Sequence, residues 1–174
     1  MISPGEGDKQ QPVPVRHISS RHIGGLISFR AVVTRTTEVK PSAKVISYKC
    51  QQCGSENFQV VNSRSFLPIQ TCKSNHCLAN QTHGQLVQDT KDSFFEPYQE
   101  IRVQEPTDQV PMGSVPRNLT LIARRSNVRV CSPGDMIFVT GILVPATSER
   151  RFGRRQVTET SIEIQEIQKE KSAY

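Results

Sequence analysis

The sequence predicts an all-β chain, on three observations. Short runs of β-branched and apolar residues alternate in polarity with a period of two. Turn-forming clusters of Pro, Gly, Asn and Asp separate them, and no stretch carries a long helical period. A four-cysteine array, C-x2-C-x18-C-x4-C at Cys50, Cys53, Cys72 and Cys77, interrupts the strand series between its second and third members.

The elements follow in order. Residues 1–14 contain Pro, Gly and Gln with few large apolar groups and read as a disordered lead-in. From Leu26, Ile27, Phe29, Ala31 and Val33 face one way and Ser28, Arg30 and Thr34 the other, the pattern of a half-buried strand. A turn is expected at Val39-Lys40-Pro41-Ser42, then a strand at Val45–Tyr48 leading into Cys50. Ile101 and Val103 mark a strand after the cysteines, and Leu119–Ala123 and Val128–Val130 form an expected pair around Ser126-Asn127. Pro133-Gly134-Asp135 is a turn before the strand Met136–Val144. Val157–Ile167 is β-rich but irregular in phase, so a bulge is expected near Thr160 or Ser161.

Short strands with an insertion point to a small closed barrel, the OB-fold, which binds nucleic acid on one face and its loops. Periodicity alone leaves a sandwich open. The expected organisation is a first barrel part at 15–49, the insertion at 50–92, the barrel remainder at 93–168 with a hairpin near 145–160, and a tail at 169–174.

The cysteine spacing is that of a structural zinc ribbon: two knuckles, each presenting two thiolates to one point, with Gly54 giving the first its permissive backbone. Four sulfur ligands leave no open coordination position, so one structural zinc is expected. Disulfides are disfavoured by an odd fifth cysteine, Cys131, and by the lack of a signal peptide. Cys131 is expected as a small buried apolar residue, and His76, the alternative ligand beside Cys77, as a solvated ribbon-loop histidine.

The net charge of +6 is concentrated. Residues 117–155 hold eight arginines, no lysine and only Asp135 and Glu149 as acids, which suggests a polyanionic partner. Arg150, Arg151, Arg154 and Arg155 surround Phe152-Gly153 between two strand runs, as in a hairpin. Their guanidinium forks suit phosphate oxygens without reading sequence. Arg124, Arg125 and Arg129 flank a turn and leave three partners open: DNA, a neighbouring subunit or water. With no Trp and three Tyr, the chain lacks a stacking platform, so binding is expected to be charge-dominated and salt-dependent. Tyr48 and Phe152 are expected to pack rather than stack. No apolar run approaches membrane-spanning length.

Several motifs in this order resemble the N-terminal region of minichromosome maintenance (MCM) helicase subunits. They are Gly25-Leu26-Ile27, Thr34-Arg35-Thr36-Thr37-Glu38-Val39-Lys40-Pro41, the cysteine array, Gln104-Glu105, Asp108-Gln109-Val110-Pro111, Gly113, Pro116-Arg117-Asn118-Leu119, Pro133-Gly134-Asp135 and Val139-Thr140-Gly141-Ile142. The D-Q-V-P run and the cysteine spacing look most like the seventh-subunit branch of the eukaryotic heterohexamer. The resemblance implies a zinc ribbon inserted in an OB-fold, a ring collar around single- or double-stranded DNA, neighbouring MCM subunits as partners, and a nuclear location. It also implies that the arginine hairpin projects into the ring channel, and that Arg35, Lys40 and Arg102 lie on a barrel face contacting single strands. No helical subdomain and no G-x-x-x-x-G-K-[ST] run is visible, so these residues offer no cradle for nucleotide hydrolysis, and the chain reads as a fragment of an ATP-dependent helicase subunit. The fragment is expected to be monomeric when dilute. A purely architectural module, or a zinc-ribbon transcription or RNA-processing factor, are the alternatives. The H-x-E and P-C-x-x-C pattern of zinc deaminases is missing.

Overall fold

The structure is a computed structural model of the 174-residue chain, and it describes residues 12–62, 66–82, 84–145 and 159–170. Among the described residues seven strands run in chain order: β1 (Leu26–Thr36), β2 (Lys40–Cys50), β3 (Glu56–Val60), β4 (Leu86–Gln104), β5 (Asn118–Arg124), β6 (Met136–Pro145) and β7 (Thr160–Lys169). The described α-helix is α1 (Asn75–Ala79). Two compact units are present, Met1–Val39 with Tyr98–Tyr174, and Lys40–Pro97.

In the first unit the strands close on themselves. The order is β1-β6-β7-β5-β4, and β4 pairs back to β1. All pairings are antiparallel except β5 with β7. Five strands joined in this cycle, with the third and fifth of the barrel parallel, make an OB-fold, which removes free edges.

The interior follows from the period-two pattern. Phe29, Ala31, Ile101, Leu121, Ala123, Ile137, Val139 and Ile162 are fully buried at alternate positions of their strands. Ile27 and Val33 join them as expected, whereas Ser28, on the opposite face, is also buried, with its hydroxyl 2.9 Å from that of Thr140. Cys131 packs in this core, as its expected apolar role requires.

The irregular phase of the last strand has a specific cause. Buried Ile162 and Ile164 are followed by Ile167, so one residue breaks the alternation. Thr140 opposes Glu166 and Gly141 opposes Ile164, which leaves Gln165 as the extra residue. The bulge therefore lies at Gln165, not at Thr160 or Ser161. Gly141 sits opposite it because a Cβ there would come within 2.6 Å of the Glu163 carbonyl oxygen and 2.7 Å of Ile162 Cγ2.

Three other expectations change. Lys40-Pro41-Ser42 is strand rather than turn; Pro41 precedes the β3-paired stretch, which begins at Val45, so its missing N–H breaks no β2–β3 bond. The strand around Ile101 extends back to Leu86, through a polar run whose exposed face hides its period. Val128–Val130 is not a strand: Arg125 and Arg129 have φ of +54° and +60°, and Asn127 Nδ2 donates to the carbonyl of Gln165 at 3.1 Å. The Pro133-Gly134-Asp135 turn forms as expected, with Gly134 at φ +93° and the Ser132 amide donating to Asp135 Oδ2 at 2.8 Å.

The second unit holds β2, β3, α1 and the first part of β4 up to Pro97, with the sheet order β4-β2-β3. It includes strand residues on both sides of the 50–92 segment. Ile46, Tyr48 and Val61 form its small core, with Ala43, Ile69 and Leu86 against them. Tyr48 is thus a packing residue, and its hydroxyl lies 3.0 Å from Gln59 Oε1. A core this small gains from a metal staple. Among the described residues, no helix is long and apolar enough to cross a membrane.

Candidate metal centre and nucleic-acid interface

Strand β2 delivers Cys50 at its end, and Gly54 at φ +68° lets the chain reverse, with its amide donating to the Cys50 carbonyl at 2.9 Å. Cys53 falls inside that knuckle. Across the unit, Cys72 and Cys77 come from a second turn, where Ser74 caps α1 by accepting the Cys77 amide at 3.3 Å. All four Sγ atoms lie within 4.8 Å of one another, and Cys50, Cys72 and Cys77 are buried.

Cys50 Sγ to Cys77 Sγ and Cys53 Sγ to Cys72 Sγ are both 3.8 Å. That separation is too long for a disulfide and matches the ~3.8 Å edge of a tetrahedron whose vertices stand ~2.3 Å from a central zinc. Among the described residues the donor set is all sulfur, with His76 exposed on α1 and outside the cluster. The residues present fit a structural zinc, which would lock both knuckles together and supply folding energy rather than catalysis.

Hydroxyl groups line one side of the cluster. Ser55 Oγ is 2.9 Å from Cys53 Sγ and 3.2 Å from Cys72 Sγ, and Ser74 Oγ is 3.2 Å from each of the same sulfurs. The Ser55 and Ser74 hydroxyls push the Cys53 thiol down to about 7 and the Cys72 thiol down to about 5, Ser55 contributing most in both cases. Such thiols approach the thiolate form that metal binding needs. Sequence reading missed these serines, although both stand within two residues of a cysteine.

The candidate DNA-contact residues scatter over both units. Arg35 and Arg102 are exposed and stand directly opposite one another on β1 and β4, with Thr120 of β5 opposite Arg102. A groove of about 390 Å³ beside them is lined by Thr34, Arg102, Gln104, Asn118, Leu119 and Thr120. Lys40 is the first residue of β2, in the second unit. Arg124 is half-buried, 4.0 Å from Glu163 and with its guanidinium 5.2 Å from the centre of the Tyr98 ring. Arg125 and Arg129 are exposed on the turn that follows β5. Arg150, Arg151, Phe152, Arg154 and Arg155 lie outside the described residues. Pro145 and Thr160, which flank that segment, are direct partners across β6 and β7.

The family model of the MCM OB domain matches residues 14–147. The DNA replication licensing factor mcm7 of Xenopus tropicalis is 41% identical over 145 residues, 83% of this chain and 20% of that protein. The protein of the same name from Schizosaccharomyces pombe is 39% identical over 156 residues, 88% of this chain and 20% of its own length. DNA replication licensing factor MCM7 of Arabidopsis thaliana is 34% identical over 168 residues, 95% of this chain and 24% of the relative. The chain thus spans a fifth to a quarter of the length of these three relatives. The closure of β1, β4, β5, β6 and β7 into a barrel and the match over residues 14–147 agree: this chain belongs to the MCM OB domain family.

Proposed function

We propose that the chain is the DNA-contacting, ring-assembling N-terminal module of an MCM replicative helicase subunit. It serves replication initiation and unwinding in the nucleus, beside other MCM subunits. One zinc held by Cys50, Cys53, Cys72 and Cys77 stabilises its second unit. The parent is an ATP-dependent helicase; the motor lies outside these residues. The observation that carries the reading is the OB barrel itself. Its strands β6 and β7 meet at Pro145 and Thr160, and the connection between them carries Arg150, Arg151, Arg154 and Arg155. Connections at this place and the neighbouring strand face are where OB-folds hold nucleic acid.

Arginine forks on phosphates position DNA without reading bases, which suits a module that must accept any sequence, single- or double-stranded. Arg35 and Arg102 extend the contact surface to the barrel face, and Arg124, Arg125, Arg129 and Lys40 are secondary candidates. The test changes the four connection arginines to Ala together. Affinity for unrelated sequences falls about equally, and the slope of log affinity against log salt shrinks by up to about four units. Unchanged affinity and slope, with circular dichroism showing an intact fold, overturns the assignment.

A second, compatible reading is architectural. Phe58 and Val60 are exposed at 59% and 64% on strand β3, which ends the sheet order of the second unit, and such a surface favours a protein neighbour. The free chain is a monomer when dilute and assembles at high concentration, which light scattering across a dilution series reads directly.

A further inference from the structure

The four sulfurs have unlike surroundings. Cys53 and Cys72 face hydroxyls, whereas on the Cys50 and Cys77 side the cluster is approached by a backbone without a side chain. That backbone is Gly84, held in place by its carbonyl, which accepts the Cys72 amide at 3.1 Å. A Cβ on Gly84 would collide with Cys50 Sγ, reach Cys77 Sγ at 3.1 Å and touch Cys72 Cβ at 3.4 Å. No positive φ is involved, so the requirement for glycine here comes from space alone.

The hydroxyl side has its own logic. Each serine hydroxyl carries one proton and can donate to one sulfur at a time, so two hydroxyls serve two sulfurs. In the Ser55 contacts to both sulfurs and the Ser74 contact to Cys53 either atom can be the donor, so each hydroxyl is placed to serve a sulfur. Asn57 Nδ2 and the Ser74 amide add N–H donors to Cys72 Sγ at 3.7 and 3.4 Å. Four thiolates around one divalent ion leave a net double negative charge, and donors aimed at sulfur offset part of it in a buried site.

We propose that Ser55 and Ser74 are positioning residues for the zinc centre, donating to Cys53 and Cys72, and that Gly84 is the bare wall the tetrahedron needs beside Cys50 and Cys77. This rests on the zinc assignment above. Ser55 is the residue to test, because Ser74 also caps α1.

The experiment uses the full 174-residue chain and compares Ser55→Thr with Ser55→Val, two side chains of the same branched shape that differ in the hydroxyl. Zinc affinity is measured by chelator competition, and cobalt(II) is substituted for zinc to read the sulfur-to-metal charge-transfer band. The Thr variant matches the wild type in both. The Val variant loses about 10–100-fold in affinity and its band moves to longer wavelength, because sulfur lone pairs without hydrogen bonds give up electrons more easily. Gly84→Ala fails to reach one tightly held metal per chain. Equal affinity and equal band position for the Thr and Val variants overturns the serine role, and wild-type affinity in Gly84→Ala overturns the wall. Wild-type protein that binds no zinc sinks the zinc assignment and the proposal together, whereas tight wild-type binding with indifferent variants sinks the proposal alone.

Discussion

Arg16 and Glu105 form a forked ion pair, with Arg16 Nε 3.2 Å from Oε1 and Nη2 3.0 Å from Oε2, between residues 89 apart in sequence. Glu105 is buried at 1% exposure, and the Arg117 amide donates to its Oε2 at 3.3 Å. The pair joins the segment before β1 to the residue that follows β4, and Arg16 also donates to the Val115 carbonyl at 3.2 Å. One carboxylate thereby holds both the entry to the barrel and the connection between β4 and β5.

Removing one partner of such a pair leaves a buried charge uncompensated. Arg16→Ala is expected to destabilise the barrel by about 3–5 kcal/mol, less whatever water recovers at the half-exposed arginine side. Urea unfolding of the zinc-loaded chain measures it, and a loss below about 1 kcal/mol would show that solvent already screens the pair.

The acid limb of stability depends on the same residue. Burial would raise the Glu105 carboxyl, but the Arg16 hydrogen bonds and charge and the Arg117 amide outweigh it and hold the carboxyl below its ordinary value. Its folded value lies below its unfolded one, so its contribution is present above the unfolded carboxylate range near ~4.3 and is lost as pH falls through the folded value. The Lys169 partner lowers Asp135 likewise, and the sign is the same. The urea midpoint should fall below about pH 4 and fall less steeply in Glu105→Gln than in the wild type; parallel curves would remove Glu105 from the acid transition.

Gly141 marks the closest approach of β6 to the β7 bulge. Gly141→Ala drives a methyl against the Glu163 carbonyl and Ile162, both of which are held by the barrel, so a loss of about 1–3 kcal/mol is expected. Thermal unfolding reads it. Gly113→Ala, where a Cβ meets nothing within 4 Å but φ is +78°, gives the comparison in which backbone strain acts without a clash.

Cys72→Ser removes one corner of the sulfur cluster. The chain should hold one zinc per molecule before the change and bind it weakly after. Amide exchange should quicken across residues 40–97 while β1, β5, β6 and β7 keep their protection, because the barrel core contains no residue of the second unit. Uniform loss of protection in both units would mean that they fold as one.

Arg35→Ala with Arg102→Ala removes two opposed charges from the barrel face. If both meet phosphates, the salt slope of DNA binding falls by about two units. An unchanged slope removes Arg35 and Arg102 from the contact surface.

The inward rows of β1 and β6, the cysteine set and the Pro133-Gly134-Asp135 turn were legible because each is a local pattern: side chains alternate every residue, and ligand spacing is counted along the chain. The same logic failed where exposure blurs the period, as in the polar first half of β4, or where a turn borrows apolar residues, as at Val128–Val130. The resemblance of short motifs to MCM subunits supplied the barrel that periodicity left open.

Only the tertiary structure decided the rest. Closure of β4 onto β1 and the parallel β5–β7 pairing are choices among partners, and no residue encodes its partner by itself. The bulge at Gln165 is fixed by the empty space over Gly141, and the bare wall at Gly84 by sulfurs that sequence places as far away as Cys50. Arg16 and Glu105 meet across 89 residues because the closed barrel buries one and leaves the other at its rim. Local chemistry marked the inward strand rows and the cysteine set; long-range packing determined which atoms face one another, and contacts of that kind cost chain entropy that only the whole fold recovers.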